Sequence, residues 1–382
     1  MPNRATPLRI LHLHSTFGTG GKEARAVALM NAFGKGLRHA IVSAEPGATG
    51  ASAAIDASVE YGFPFGFPPL AGKFSMQRLR KLARAMKDFD LVLTYNWGAM
   101  DAAMAHALFA PSMRLPPLVH HEDGFNADEA MRLKPTRNWY RMVALSRASA
   151  VVVPSRRLEQ VALGTWRQPR EKVVRIANGV DTAAYVAAPR PDVLPRVVKH
   201  KDEYWVGTMA GLRPVKNLPR LVRAFAPLDE LWQLVILGEG PERDAIHAEA
   251  LRLGVAHRVH MPGHFARPWD AAGLFDIFAL SSDSEQFPLS VIEAMAAGVP
   301  VAAPAVGDVA EIVAAENAPY IVEAGDEAAL SGSLAALAAS HSLRRAVGAA
   351  NRDKARADFD RAGMVAAYAR LYARVMGREG FP

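Results

Sequence analysis

Residues 275–301 read FDIFALSSDSEQFPLSVIEAMAAGVPV, and this stretch decides the fold. Residues 275–280 form an apolar run of strand length, and 291–297 is rich in good helix formers. The polar loop between them ends near Pro288, a residue tolerated at a helix start because the first helical N–H groups have no partner within the helix. Strand, loop and helix in this order form half of a βαβ unit. The helix start offers free amides and the positive end of the helix dipole to an anion. Glu285 and Glu293 stand on either side of this junction, Glu285 on the loop and Glu293 in the first turns of the helix. A ligand whose phosphates meet the amides and whose sugar hydroxyls meet the acids fits between them, and a nucleotide sugar has that layout.

The same alternation runs along the whole chain. Strand-like runs at 8–14, 40–43, 91–95, 118–121, 150–153 and 173–176 are separated by helical patterns. A second series follows at 204–210, 233–237, 259–261, 275–280, 301–303 and 320–322. Such alternation predicts parallel sheets with helices on both faces. Between the two series, residues 178–196 (NGVDTAAYVAAPRPDVLPR) carry an Asn-Gly turn signal and three prolines, which reads as a connector. The expected class is α/β, with two doubly wound, Rossmann-like domains. No fixed-period repeat appears, and 329–339, 343–357 and 364–376 are helical by composition and period.

At 382 residues, half of them hydrophobic, the chain has material for two cores. It contains no cysteine, which removes disulfide frameworks and thiolate metal sites and agrees with a reducing compartment. A cytoplasmic location is expected. No apolar run approaches the roughly 20 residues that span a bilayer, and MPNRATPLRILHLH at the N-terminus has no long apolar region, so neither secretion nor membrane insertion is expected. The net charge of +7 is uneven: residues 1–150 hold 18 Lys plus Arg against 11 Asp plus Glu, while 151–382 hold 27 of each. The first part therefore faces something anionic. Within 74–89, Met76, Leu79, Ala83 and Met86 form a helical stripe flanked by Arg78, Arg80, Lys81, Arg84 and Lys87. Such a helix either lies on an anionic membrane surface or turns its stripe into a core and its bases into water. Nucleic acid is not expected, because aromatic interleaving and a recognisable nucleic-acid module are both missing.

Two further segments carry chemistry. TFGTGGKEARAVALM (16–30) is a glycine-rich turn opening a helix, where Gly18, Gly20 and Gly21 leave backbone amides open to a phosphate or a sugar. It lacks the Lys-Ser/Thr pair of a P-loop and the spacing of a dinucleotide fingerprint. PPLVHHEDGFN (116–126) runs from a strand into a loop bearing His120, His121, Glu122 and Asp123. Four consecutive polar residues do not give the spaced geometry of a metal site, so no metal is expected there.

In this order along the chain, these segments resemble the retaining glycosyltransferases often called family 4, which have the GT-B fold. The resemblance covers nearly the whole chain. It rests on Glu285 and Glu293 as the E-x7-E pair and on Gly20-Gly21-Lys22-Glu23 as the G-G-x-E loop. It rests also on VGTMAGLRPVKNLPRLVRAF (206–225), where Lys216 matches the family's lysine, and on LVILGEGPER (234–243) as the strand ending in G-x-G-P. Two positions depart from the pattern. Gly211 stands where many members have an arginine, with Arg213 two residues later, and Gln286 replaces the glycine that often follows the first Glu.

The resemblance implies a GT-B chain with an interdomain cleft: an acceptor-side domain at 1–190, a donor-binding domain at 191–360, and a C-terminal helix at 361–382 packing back on the first. It implies transfer of a sugar from a nucleotide diphosphate sugar, with retention, to a hydroxyl of a lipid-linked or saccharide acceptor in cell-surface polysaccharide or glycolipid synthesis. Lys216 and Arg213 would grip the donor diphosphate, and the amides around Leu289 and Ser290 would meet it. Glu285 would touch hydroxyls of the transferred sugar and Glu293 would hold the ribose. Gly238 and Gly240 would shape a loop below the nucleotide, and 261–264 (MPGH) would line the base pocket. Gly20, Gly21 and His120 join the substrate-binding positions. Many relatives place a histidine near the reacting carbon, a place open here to His120, His121 or Asp123; the catalytic set is then His121, Asp123, Lys216 and Glu285. No cofactor and no metal are expected. The expected partners are the donor, the acceptor and, peripherally, the inner face of an anionic membrane. A non-catalytic nucleotide-sugar-binding subunit and a nucleotide-sugar epimerase on the same fold are the alternatives, and turnover with a true acceptor separates them.

Overall fold

The structure is a computed structural model that describes residues 7–125, 129, 132–185 and 188–382. Residues 1–6 of the N-terminal stretch, Asn126 of the polar loop, and Val186 and Ala187 of the connector lie outside the described residues. The chain divides into two compact units, residues 1–177 with 364–382, and residues 178–363. The first break falls at 177 rather than 190 because the connector is tied into the second unit. There the Val180 amide donates to the Phe359 carbonyl at 3.0 Å, the Thr182 hydroxyl bonds Asp360, and Tyr185 is buried.

In the first unit strands and helices alternate as β1 (Leu8–His14), α1 (Gly21–Phe33), β2 (Leu37–Ser43), β3 (Glu60–Gly62), α2 (Met76–Met86), β4 (Leu91–Tyr95), α3 (Met100–Met113), β5 (Leu118–His121), α4 (Pro135–Ala144), β6 (Ala150–Val153), α5 (Arg156–Gln160) and β7 (Val173–Arg175). They build a seven-stranded parallel sheet in the order β3-β2-β1-β4-β5-β6-β7. The second unit repeats the plan with β8 (Tyr204–Met209), α6 (Leu218–Phe225), β9 (Trp232–Leu237), α7 (Arg243–Arg252), β10 (Val259–Gly263), β11 (Ile277–Ala279), α8 (Leu289–Ala296), β12 (Val301–Pro304), α9 (Val309–Ile312), β13 (Ile321–Val322), α10 (Glu327–Ala338) and α11 (His341–Asp358). Its six parallel strands run β10-β9-β8-β11-β12-β13. The last helix, α12 (Arg361–Val375), belongs to the first unit from Met364 onward.

In each sheet the strand order reverses once, between β1 and β4 and between β8 and β11. Connections leave such a switch point to opposite faces, so the carboxyl ends of its two strands open a crevice that suits a ligand. Helices cover both faces of each sheet, so apolar side chains of the inner strands pack on either side. In the first unit Leu11, Leu13, Val92 and Leu118 face α2 and α3, while Ile10, Leu91, Leu93 and Val119 face α1 and the Met364, Tyr368 and Leu371 side of α12. In the second, Val206, Leu234, Ile236 and Ile277 pack against Leu221, Phe225, Leu330 and Leu334. Each fully buried Leu or Phe contributes about 1.5–3 kcal/mol.

Two details differ from the sequence expectation. The strand expected over 275–280 is assigned only over Ile277–Ala279; beside it the Asp276 carboxylate takes the Trp205 amide (2.8 Å) and Lys199 (2.6 Å). In α2, Leu79, Leu82, Ala83 and Met86 are buried and Met76 is 53% exposed, so the stripe lies in the core and its centre is one position round from the expected one. The apolar face of α2 is therefore not available to a membrane. Among the described residues no helix is long and apolar enough to cross one.

Candidate functional site

Each unit gathers its polar side chains at its own switch point. In the second, the chain leaves β8 through Gly211, Leu212 and Arg213 and makes a single helical turn over Pro214–Lys216 before α6 begins. Asn217 closes that turn in a left-handed conformation (φ 44°). The Lys216 ammonium donates to Glu285 at 2.5 Å, and Ser282 donates to the same carboxylate oxygen at 2.7 Å. The Ser281 hydroxyl donates to the Lys216 carbonyl (2.9 Å), and Asp283 takes Arg220 at 2.7 Å and Asn217 at 3.2 Å. The loops after β8 and β11 are thereby stitched together, and Lys216 and Glu285, distant in sequence, meet. Behind them Gly307 (φ 59°) lets its backbone approach the loop closely: a Cβ there would sit 2.6 Å from the Glu285 carbonyl.

Arg213 is exposed, and its side chain folds back over Gly211, its Nε 3.3 Å from where a Cβ at 211 would be. The displaced arginine thus occupies the space that a side chain at 211 would use. Pro288 is the N-cap of α8, and Leu289 and Ser290 are its first residues, half-buried, so their amides are among those without helical partners. Glu293 lies one turn into α8. Burial pushes its carboxyl up to about 7, a shift that a hydrogen bond from Tyr185 partly offsets. Tyr185 is itself buried, and burial followed by the Glu293 charge raises its hydroxyl, so it stays protonated and donates. Beside the Gly238–Gly240 turn an open groove of about 720 Å³ is lined by Arg196, Glu239, Arg243, His260 and Met261, with Arg243 donating to the Met261 carbonyl at 2.8 Å. Tyr185 was not legible as a site residue, because it sits in a proline-rich connector and meets Glu293 only in the fold.

At the first unit's switch point Gly20 caps α1 and Gly21 begins it, both exposed. Lys22 donates to Ser15 at 3.0 Å and pairs with Glu23 at 2.7 Å, and Thr16 donates to Glu23 at 3.1 Å, so side chains brace the glycine turn. Arg25, buried in α1, makes a two-pronged ion pair with Asp123, one arm at 2.8 Å. Burial works against its charge, but Asp123 outweighs it and holds the guanidinium firmly protonated. The Asp123 amide donates to the Asn96 side chain at 2.8 Å.

Of the three residues left open by the sequence, Asp123 alone reaches solvent. His120 and His121 point to opposite faces of the sheet and are buried. His120 bonds Thr94 Oγ1 at 2.9 Å and stands 3.6 Å from Glu122. Burial, then Arg25, lowers the His121 pKa well below 6.5, so its ring is neutral. Its Nδ1–H donates to the Thr94 carbonyl (3.3 Å), which leaves Nε2 to accept from Tyr372 (3.0 Å). His121, expected among the catalytic residues, is an interior residue with both nitrogens engaged. It continues a stack in which His14 lies 4.0 Å and His121 4.6 Å from Tyr95. His12 bonds Tyr95 (3.3 Å) and His39 (2.9 Å) beside it. The alternation of His12 and His14 in β1 put both on one face and was the available signal for this cluster; nothing in the sequence paired Arg25 with Asp123. No group of three or more His, Asp or Glu among the described residues is arranged to hold a metal.

Two doubly wound parallel units, each with polar side chains gathered at its switch point, fit the GT-B class of α/β proteins. The chain belongs to the group 1 glycosyltransferases: residues 19–184 match Glycosyltransferase Family 4 and residues 191–354 match Glycosyl transferases group 1. It is 25% identical over 211 residues to N-acetyl-alpha-D-glucosaminyl L-malate synthase of Bacillus anthracis, a match covering 55% of each chain. It is 33% identical over 172 residues to a GDP-mannose-dependent alpha-mannosyltransferase of Mycolicibacterium smegmatis, covering 44% of this chain and 43% of that one. The chain thus spans about half the length of these relatives. Among solved structures, Anabaena HepE in complex with UDP has the same fold, with a TM-score of 0.79 at 20% identity over 96% of this chain and all of that one.

Proposed function

We propose that this protein transfers a sugar from a nucleoside diphosphate sugar to an acceptor hydroxyl with retention of configuration and without a metal. The observation that carries the reading is the meeting of Lys216 and Glu285 at the switch point of the second unit, with Glu285 on the loop that leads into α8. A diphosphate placed there finds an ammonium, the displaced Arg213 and free amides, all of which stabilise the anion that leaves as the bond breaks. Glu285 is then free to accept hydroxyls of the sugar and Glu293 those of the ribose, as the family resemblance implies. The acceptor oxygen attacks the anomeric carbon on the face from which the phosphate departs, its proton passing to the departing phosphate oxygen. The glycosidic bond forms as the carbon–phosphate oxygen bond breaks, and no enzyme nucleophile takes part. Asp123, fixed by Arg25, is the acceptor-side residue in this reading. The relatives' names support a nucleotide-sugar donor, and the excess of base in the first 150 residues supports a lipid-linked or saccharide acceptor at the inner face of an anionic membrane, in cell-surface polysaccharide or glycolipid assembly.

The test is a thermal-shift panel of UDP, GDP and ADP and their sugar conjugates against wild type and Glu293→Ala. One nucleotide at a hundredfold excess over its Kd is expected to raise the melting temperature on the order of 5 °C, and less in the variant. No shift with any of them overturns the donor assignment. Turnover unchanged by EDTA is expected, and its loss overturns the metal-free mechanism.

A further inference from the structure

We propose that residues 61–76, together with the exposed side of α2, form a docking surface for an anionic lipid bilayer, with the aromatic rings entering the headgroup region and the bases meeting lipid phosphates. The segment reads YGFPFGFPPLAGKFSM, and its large apolar side chains face water: Phe65 is fully exposed, Phe74 62%, Met76 53%, Phe63 45% and Tyr61 40%. Single exposed apolar residues need no explanation, but five within sixteen residues, with Tyr61 and Phe63 in ring contact at 6.2 Å, are a concentration that does.

The backbone beneath the patch is held. Leu70 is buried and Phe67 packs in the core on the α2 and α3 side of the sheet. The Arg78 guanidinium donates to the carbonyls of Leu70, Gly72 and Lys73, each at 3.2 Å, and pairs with Asp101. Phe63 sets its edge on Phe17, ring centroids 6.5 Å apart. The rings are therefore presented outward by an ordered loop. Arg80, Lys81, Arg84 and Lys87 lie on the exposed side of α2, continuous with Met76 at its first turn, and among the described residues none pairs with a carboxylate.

Charge and composition choose the occupant. Exposed bases without a carboxylate partner, beside aromatic rings that face water, complement the phosphates and the headgroup boundary of an anionic membrane. The residues that lead into this surface lie in the basic part of the chain, 18 Lys plus Arg against 11 Asp plus Glu over 1–150. This differs from the expectation that α2 would lie on a membrane through its own apolar stripe: the stripe is in the core, and the loop before it supplies the apolar contacts. The inference deepens the membrane-proximal reading above and rests on it for its purpose, while the docking itself is measured separately.

The experiment is flotation of the full chain with vesicles of phosphatidylcholine alone or mixed equally with phosphatidylglycerol, at low and high salt. Wild type is expected to partition onto the mixed vesicles at low salt and to be released by salt. Phe65→Ser with Phe74→Ser is expected to lower partitioning at least about tenfold, and Arg80→Gln with Lys81→Gln roughly thirtyfold. Melting temperature and nucleotide-induced shift should match wild type in both variants. Absence of wild-type partitioning, or partitioning that survives both pairs of substitutions, overturns the proposal. So does self-association by light scattering that Phe65→Ser abolishes without any lipid binding, since a second copy is then the occupant. Vesicle binding without any nucleotide effect counts against the donor reading alone, and the reverse against docking alone.

Discussion

Lys216 and Glu285 show how little of a site is local. Each was legible by position in its own motif, but their 2.5 Å contact exists because β8 and β11 are neighbours in the sheet. If Lys216 stabilises the leaving phosphate, Lys216→Ala lowers kcat by about a hundredfold or more with the fold intact, measured by nucleotide release in the presence of acceptor. A near-normal rate would remove it from the mechanism. Tyr185 gives a second test. Its hydrogen bond holds Glu293 lower than burial alone would, so Tyr185→Phe is expected to move the Glu293 titration above about 7. An NMR titration of that carboxyl would read the shift, and an unchanged midpoint would show that the hydroxyl does not support the charge. The acids were legible from their spacing in 275–301; the tyrosine was not, because nothing in a connector sequence says which helix it will touch.

At the scale of elements, α2 separates pattern from placement. Its period of 3.6 marked an apolar face, and the face exists, but which residues reach the core depends on where the helix lies against the sheet and α3. Leu82 is fully buried and Met76 half exposed. Leu82→Ala is therefore expected to cost about 2–5 kcal/mol, and Met76→Ala no more than about 0.5 kcal/mol, by denaturant unfolding. Equal costs would show the stripe centred as the sequence alone suggested. The short β3 escaped the sequence because its three residues are exposed at a sheet edge and carry no apolar alternation. The histidines of β1 and β5 were visible, but strand alternation and covering helices, not the residues themselves, turned His12, His14 and His121 inward.

At the scale of the molecule the two units carry opposite responses to pH. In the first, burial holds His12, His14 and His121 well below 6.5 and His39 at about 4. Below pH 6.5 the unfolded chain takes up protons that the fold refuses, so this stability is complete above 6.5 and is lost as pH falls through the lowered values. In the second, Glu293 is raised from 4.5 to about 7, so the fold keeps a proton that the unfolded chain gives up. Its contribution is complete below 4.5 and is lost as pH rises through about 7. His260, lowered by burial, opposes it there, so the decisive comparison is wild type against Glu293→Gln. Calorimetry between pH 5 and 8 should show the variant losing less stability on the alkaline side, and parallel curves would refute the shift. A single melting temperature does not describe a multidomain chain, so the comparison is made on the whole melting profile. The class of the molecule was written in the sequence itself: strand–helix alternation depends only on local periodicity, and the spacing of Glu285 and Glu293 and the glycine turn are properties of contiguous residues. What only the tertiary structure decided is which distant residues meet. Arg25 reaching Asp123, Tyr185 reaching Glu293, the burial of His121 and the exposure of Phe65 all follow from strand order and helix packing, which join residues far apart in the chain and leave no mark on the neighbours of either one.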